Sequence, residues 1–256
     1  MSSFYNTPLF ELNILYGAPP SKAKHSKHAT TYMILDGILL GSLTGKAEDS
    51  LSVIEGSVCN IDDIQSQAEA SQDTRMLHNI YVYNHFISFW KGDYIQAEKH
   101  SDAAWKMYPA SKLPTLFLIY HTLFRGLVLF QLFRQQDSQV DVRRLKEGIE
   151  MMDQVGTWAK NAMSVFENKW LLLQAQHAAS VKKTDKAQDL FNSSIKVSRD
   201  RGDIHELGLA YHQLGLYYSE LGHDVKSREC LEKACVQYNE WGAMAVASQL
   251  LDNHDL

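Results

Sequence analysis

Residues 211–245 read YHQLGLYYSELGHDVKSRECLEKACVQYNEWGAMA, and the pattern in this stretch decides the fold. Tyr211, Leu214, Gly215 and Tyr218 recur at helical spacing. Ser227, Leu231 and Ala234 do the same after a break at Gly222-His223-Asp224. Glycine just past a helix can take the left-handed backbone that closes it. Aspartate just before a helix can accept hydrogen bonds from its free N–H groups. The stretch therefore predicts two helices joined by a tight turn, with Trp241-Gly242 at the end of the second. Small residues fall where two antiparallel helices would cross, and large apolar ones where the pair would meet a neighbour.

The same arrangement is found upstream. Gly92, Ala97, Ala104 and Pro109 occupy the later positions of a pair near residue 90. Ala187, Phe191 and Ser194 match Ser227, Leu231 and Ala234 at an offset of 40 residues. These pairs resemble tetratricopeptide units, whose standard period of about 34 residues is shorter, so the helices or connections here are extended. Helices are predicted at about 74–91, 94–107, 113–134, 142–160, 164–181, 184–200, 204–221, 224–240 and 243–252. Residues 60–73 fit either a helix or a loop. No run alternates with period 2 among β-branched residues, so no strand is needed. The expected architecture is all-α: a right-handed solenoid of stacked hairpins over residues 73–256, closed by a helix from Ala243 to Leu251. Residues 1–72 form a less regular helical segment of the same solenoid, broken by Gly17-Ala18-Pro19-Pro20.

Composition agrees with a folded interior. Of 256 residues, 45% are hydrophobic and 21% charged, which excludes disorder over most of the chain. The formal net charge of −5 supplies no general attraction for a phosphate backbone. The basic clusters Lys22-Lys24-Lys27, Arg143-Arg144-Lys146 and Lys182-Lys183 are short, isolated or balanced by acids, so no nucleic-acid partner is expected. Cys59, Cys230 and Cys235 are too few for a disulfide framework and read as reduced thiols of a cytoplasmic protein. No signal peptide stands at the N-terminus. Residues 113–133 are long enough to cross a bilayer, but Arg125 near their centre would cost at least about 2.5 kcal/mol there. A buried central helix is the better reading, so no membrane partner is expected.

No motif carries chemistry. Gly41 to Ala47 superficially suggests a phosphate loop, but three residues rather than four separate its glycines and Ala47 follows Lys46. A helix end at Gly41 or Gly45 explains it. His78 with His85, and His205 with His212, are seven apart, more than 10 Å along a helix axis and too far to share one zinc. The acid pairs Asp62-Asp63, Glu147 with Glu150, and Asp200 with Asp203 sit in polar or helix-end contexts. Tyr81, Tyr83, Phe86, Phe89 and Trp90 recur at helical spacing and read as core. No catalytic residue, metal ligand or cofactor is expected.

The second half also resembles the helical region of very large signalling proteins. These combine a serine/threonine-kinase-like domain, a predicted NTPase domain, a GAF domain and often a sensor histidine kinase. The likeness rests on Phe89-Trp90-Lys91-Gly92-Asp93-Tyr94 with Ala97, on Phe166-Glu167-Asn168-Lys169, and on Tyr238-Asn239-Glu240-Trp241-Gly242-Ala243-Met244-Ala245. It covers roughly residues 75–250, and none of the family's kinase or NTPase motifs is found. It implies a non-catalytic scaffold for signal transduction, whose concave groove takes a peptide or another protein domain. Two other readings remain open: a helical enzyme with a pocket around His121, Arg125 and Trp158, and a helical module that forms homo-oligomers.

Overall fold

A computed structural model describes residue 39 and residues 41–45, 61–107, 115–135 and 142–254. After a short helical stretch closed by Gly45, the helices are α1 (Ile61–Ala70), α2 (Thr74–Trp90), α3 (Tyr94–Met107), α4 (Thr115–Gln135) and α5 (Val142–Asn161). Then follow α6 (Met163–Ser180), α7 (Thr184–Arg201), α8 (Ile204–Glu220), α9 (Asp224–Trp241) and α10 (Met244–His254). The described residues contain no strand. Helix bounds expected from residue 74 onward agree to within a few residues, and the ambiguous stretch before it holds α1. Pro109, Cys59 and most of the N-terminal segment lie outside the described residues.

Consecutive helices pair as α2–α3, α4–α5, α6–α7 and α8–α9, and the first helices of successive pairs also touch one another. α10 lies against α9 where the next pair would begin. The turns share one geometry. Gln72, Gly92, Lys182, Gly202, Gly222 and Gly242 all have positive φ, between 53° and 96°. In each turn the next residue donates its N–H to a carbonyl five residues back, as in Asp93 to Ser88 (3.0 Å), Asp203 to Ser198 (2.9 Å) and Ala243 to Tyr238 (2.8 Å). This is the bonding that satisfies the last free carbonyls of a helix. From Lys182 to Gly242 the turns recur every 20 residues, so a hairpin takes 40.

Aspartate caps two of the helix starts. Asp73 accepts from Met76 N (3.0 Å) and Asp93 from Gln96 N (3.1 Å). The expected caps of the last pair differ. Asp224 is the first residue of α9 rather than its cap, and Asp203 does not bond the start of α8. Asp203 instead lies 3.4 Å from Asn168 Nδ2.

Hairpins are held by close crossings and by polar bonds to backbone. Ala97, Ala104, Ala187, Phe191 and Ala234 are fully buried, and Leu231, Leu214 and Tyr218 nearly so. Gly215 lets α8 approach α9 so closely that an added Cβ would lie 2.6 Å from Leu231 Cδ2. Ser227, which stands where alanine is usual, donates to Gly215 O (2.9 Å), and Ser194 donates to Asn168 O (2.8 Å). In α2–α3, His78 Nδ1 donates to Ala104 O and His85 Nδ1 to Ala97 O, both at 2.9 Å. The seven-residue spacing of these imidazoles matches that of the alanines on the antiparallel helix. They are cross-links of one hairpin.

α4 is the centre of the molecule. Its residues 121–132 are buried without interruption, as expected for a central helix. Among the described residues no helix is long and apolar enough to cross a membrane.

Candidate functional site

The first helix of each hairpin faces inward. A solenoid of hairpins uses that concave face for recognition, and the expectation is an open groove. Here the face is folded in upon itself, for two reasons.

First, the ends of the array meet. Trp90, at the end of α2, lies edge-on to Tyr238 of α9, with ring centroids 5.6 Å apart, and 6.0 Å from Trp241. Gln249 of α10 donates to Lys91 O. On its other side Trp90 meets Phe124 of α4, which stacks on Phe89 at 4.3 Å. Trp241 also stacks on His205 at 5.2 Å.

Second, polar side chains from α4, α6 and α8 bond one another across the interior. Near the start of these helices, Lys169 pairs with Glu206, both side chains being less than a tenth exposed. Tyr120 Oη donates to Glu206 Oε1 (3.1 Å) and lies 2.9 Å from His205 Nε2. Asn168 Nδ2 donates to Glu206 and to Ser198 Oγ (3.1 Å). Burial alone would raise the Glu206 carboxyl. The Lys169 ammonium and the bonds from His205 and Lys169 outweigh it and hold the group well below the ordinary carboxylate range. Asp203 beside it is raised, by burial and by the Glu206 charge.

A second network lies further along the same helices. Arg134 donates to Glu220 Oε2 (2.8 Å), Gln176 Oε1 (2.5 Å) and Gln131 Oε1 (2.5 Å). Gln131 donates to Glu220 Oε1 (2.7 Å), and Gln176 to Gln213 Oε1 (2.6 Å). Gln131, Gln176 and Gln213 are buried. Three carboxamides and two charges thus stand on three successive inner helices, tied by short bonds that need no water.

Of the residues of the enzyme reading, His121 and Arg125 meet at Ser101, while Trp158 stands apart. His121 is fully buried between α3 and α4, its Nε2 2.9 Å from Ser101 Oγ, and Ser101 is fully buried as well. Arg125 donates to that serine (2.9 Å) and pairs with Asp102 (2.7 Å) and Glu147 (2.5 Å). This is a polar bracket between helices. Burial lowers the His121 imidazole well below its usual value. Trp158 lies elsewhere, against Phe166 of α6 at 5.6 Å. The basic cluster at the start of α5 is engaged too, since Arg143 and Arg144 both pair with Glu98 (2.7 Å each). Cys230 and Cys235 are buried free thiols, pushed up by that burial. Among the described residues no three His, Cys, Asp or Glu side chains gather as metal ligands would.

Of the repeat positions singled out in the sequence, Gly92, Gly222 and Gly242 are in the turns. Ala97, Ala104, Ala187, Phe191, Leu214, Tyr218, Leu231 and Ala234 are buried, and Gly215 lies against Leu231. Trp241 is beside the meeting of the two ends. None of them forms the inner polar face. That face is signalled only by polar residues interrupting apolar helices, such as Gln131 within α4 and Gln176 within α6.

No protein-family model matches the chain, and no curated protein matches it. One solved structure is similar: a Rap protein complexed with competence and sporulation factor, with a TM-score of 0.54 and 12% identity. The match covers 100% of this chain and 66% of that one, so this chain spans just under two-thirds of the solved chain's length. The fold is an α-solenoid of tetratricopeptide-like hairpins. At 12% identity the likeness speaks for the fold alone.

Proposed function

We propose that the protein is a non-catalytic interaction scaffold whose inner face receives an extended peptide or a segment of a partner protein. The observation that carries this reading is the set of carboxamides and ion pairs on α4, α6 and α8. Carboxamides present a donor and an acceptor side by side, which suits a peptide main chain. They now bond Arg134, Glu220 and one another, and a segment entering the face would replace those bonds, limiting the cost of unpaired buried groups. The similar Rap protein was solved in complex with competence and sporulation factor, which fits a fold used for binding.

Titration of the purified chain against an array of extended peptides tests the reading. Binding should appear, and Gln176→Ala combined with Gln213→Ala should weaken it by about 2 kcal/mol, from roughly 1 kcal/mol per lost hydrogen bond. Peptide binding indifferent to both substitutions would place the site elsewhere.

The wider setting is a further part of the proposal. In the host architecture suggested by Phe89–Tyr94 and Tyr238–Ala245, this region acts in the cytoplasm between an NTP-driven module and a sensor output. The genomic reading frame around these codons tests it: flanking kinase or NTPase motifs are expected.

A further inference from the structure

Where the two ends of the array meet there is a half-open pocket of about 130 Å³, with Gly92 and Asn253 exposed at its mouth. Trp90, Leu216, Val246 and Leu250 form its apolar walls, and Tyr94, His212, Gln249 and Asn253 supply polar edges. Gly92 contributes bare backbone to the rim. Among the described residues no Asp, Glu, Lys or Arg side chain lines the space. Three ionisable groups line it, Tyr94, His212 and His254, and burial disfavours the charged form of each. Burial pushes the Tyr94 phenol up to about 12 and the His212 imidazole down to about 3. His212 Nδ1 is moreover engaged with Tyr238 Oη at 3.2 Å.

An apolar cavity of about 150 Å³ is large enough to hold benzene. The space is smaller than the roughly 300 Å³ at which sites for larger ligands begin. Its walls come from the first hairpin on one side and from α8 and α10 on the other. We propose that this pocket is a binding site for one neutral aromatic ring, and that an occupant holds the two ends of the solenoid together. The ring could belong to a small phenol or to the side chain of a polypeptide. The recognition chemistry is the same: ring faces against Trp90 and Val246, with a polar edge towards Gln249 or Asn253. A ligand that touches both ends is bound only while they are joined, so its binding energy favours the joined form. The inference does not rest on peptide binding at the inner face.

The test is a titration of the full chain followed by the indole N–H resonance of Trp90, with p-cresol, blocked phenylalanine (N-acetyl-L-phenylalanine amide) and benzoate as probes. p-Cresol is expected to shift the Trp90 resonance saturably, leave that of Trp158 in place and raise the melting temperature. Leu216→Trp, at a half-buried wall position, should weaken binding at least about tenfold while the other indole resonances report an intact fold. Gln249→Phe gives a second filled variant should the first fail to fold. Binding of blocked phenylalanine alone supports the site with a polypeptide as the source of the ring. Benzoate binding as well as p-cresol, or no saturable shift with either neutral probe, overturns the proposal.

Discussion

Lowering the pH from 7 to 5 acts on a set of imidazoles that the fold buries as neutral rings. His85, fully buried in the α2–α3 hairpin, is pushed from 6.5 to about 3, first by burial, against the bond to Ala97 O. His212 in α8 is likewise pushed to about 3 by burial. In the unfolded chain both titrate near 6.5, so between the two values the unfolded state binds protons and the native state does not. Their contribution is therefore complete above pH 6.5 and is lost as pH falls towards 3. One pKa unit is worth about 1.36 kcal/mol, so at pH 5 each residue removes about 2 kcal/mol, and together about 4. His78 and His121, lowered by burial, act in the same direction. Against a typical total stability of roughly 5–15 kcal/mol this is a large fraction. Urea unfolding followed by far-ultraviolet circular dichroism at pH 7 and pH 5 measures it. His85→Asn, which can keep a donor near Ala97 O without a titrating ring, should reduce the pH-dependent loss by about 2 kcal/mol. Equal stability at the two pH values, or an undiminished loss in the variant, would refute the reasoning.

Further outcomes follow from the packing. Gly215→Val drives side-chain atoms into Leu231, already 2.6 Å from a Cβ at this site, and should cost roughly 1–3 kcal/mol in chemical unfolding. Lys182 holds a φ of 57° where the turns at 202, 222 and 242 carry glycine, so Lys182→Gly should stabilise by about 0.5–1 kcal/mol, read as a raised melting temperature. Glu206→Leu strands the Lys169 ammonium in the interior and should cost about 3–5 kcal/mol. Adding Lys169→Met should recover much of that loss, which a double-mutant cycle quantifies. Ser227→Ala removes the bond to Gly215 O and should cost about 0.5–1.5 kcal/mol.

Local structure was legible in the sequence because its signals are local. Gly92, Gly202, Gly222 and Gly242 mark turns that need a positive φ, and Asp73 and Asp93 cap the helices that follow. Asp203 escaped the same rule because its environment is tertiary: α6 brings Asn168 and Lys169 alongside. The His78–His85 spacing serves to cross-link one hairpin. That use could not be read from one helix, because the acceptors lie on the partner helix at Ala104 and Ala97. The inner face was the hardest to read. Arg134 and Glu220 are 86 residues apart, Lys91 and Gln249 are 158 apart, and no periodicity within a helix reports how far a superhelix curls. In the sequence Trp241 stands beside Gly242 at a helix end, whereas its ring also packs against Trp90 and His205.

The even 20-residue spacing of the left-handed turns from Lys182 to Gly242 has a mechanical consequence. Drawn out from its C-terminus by an optical trap, once α10 has been peeled from Lys91 this half of the molecule would lengthen in like increments. Each released hairpin of 40 residues adds close to 140 Å of slack at about 3.5 Å per residue. The force trace would be a ruler of the array, one tooth for each pair of helices.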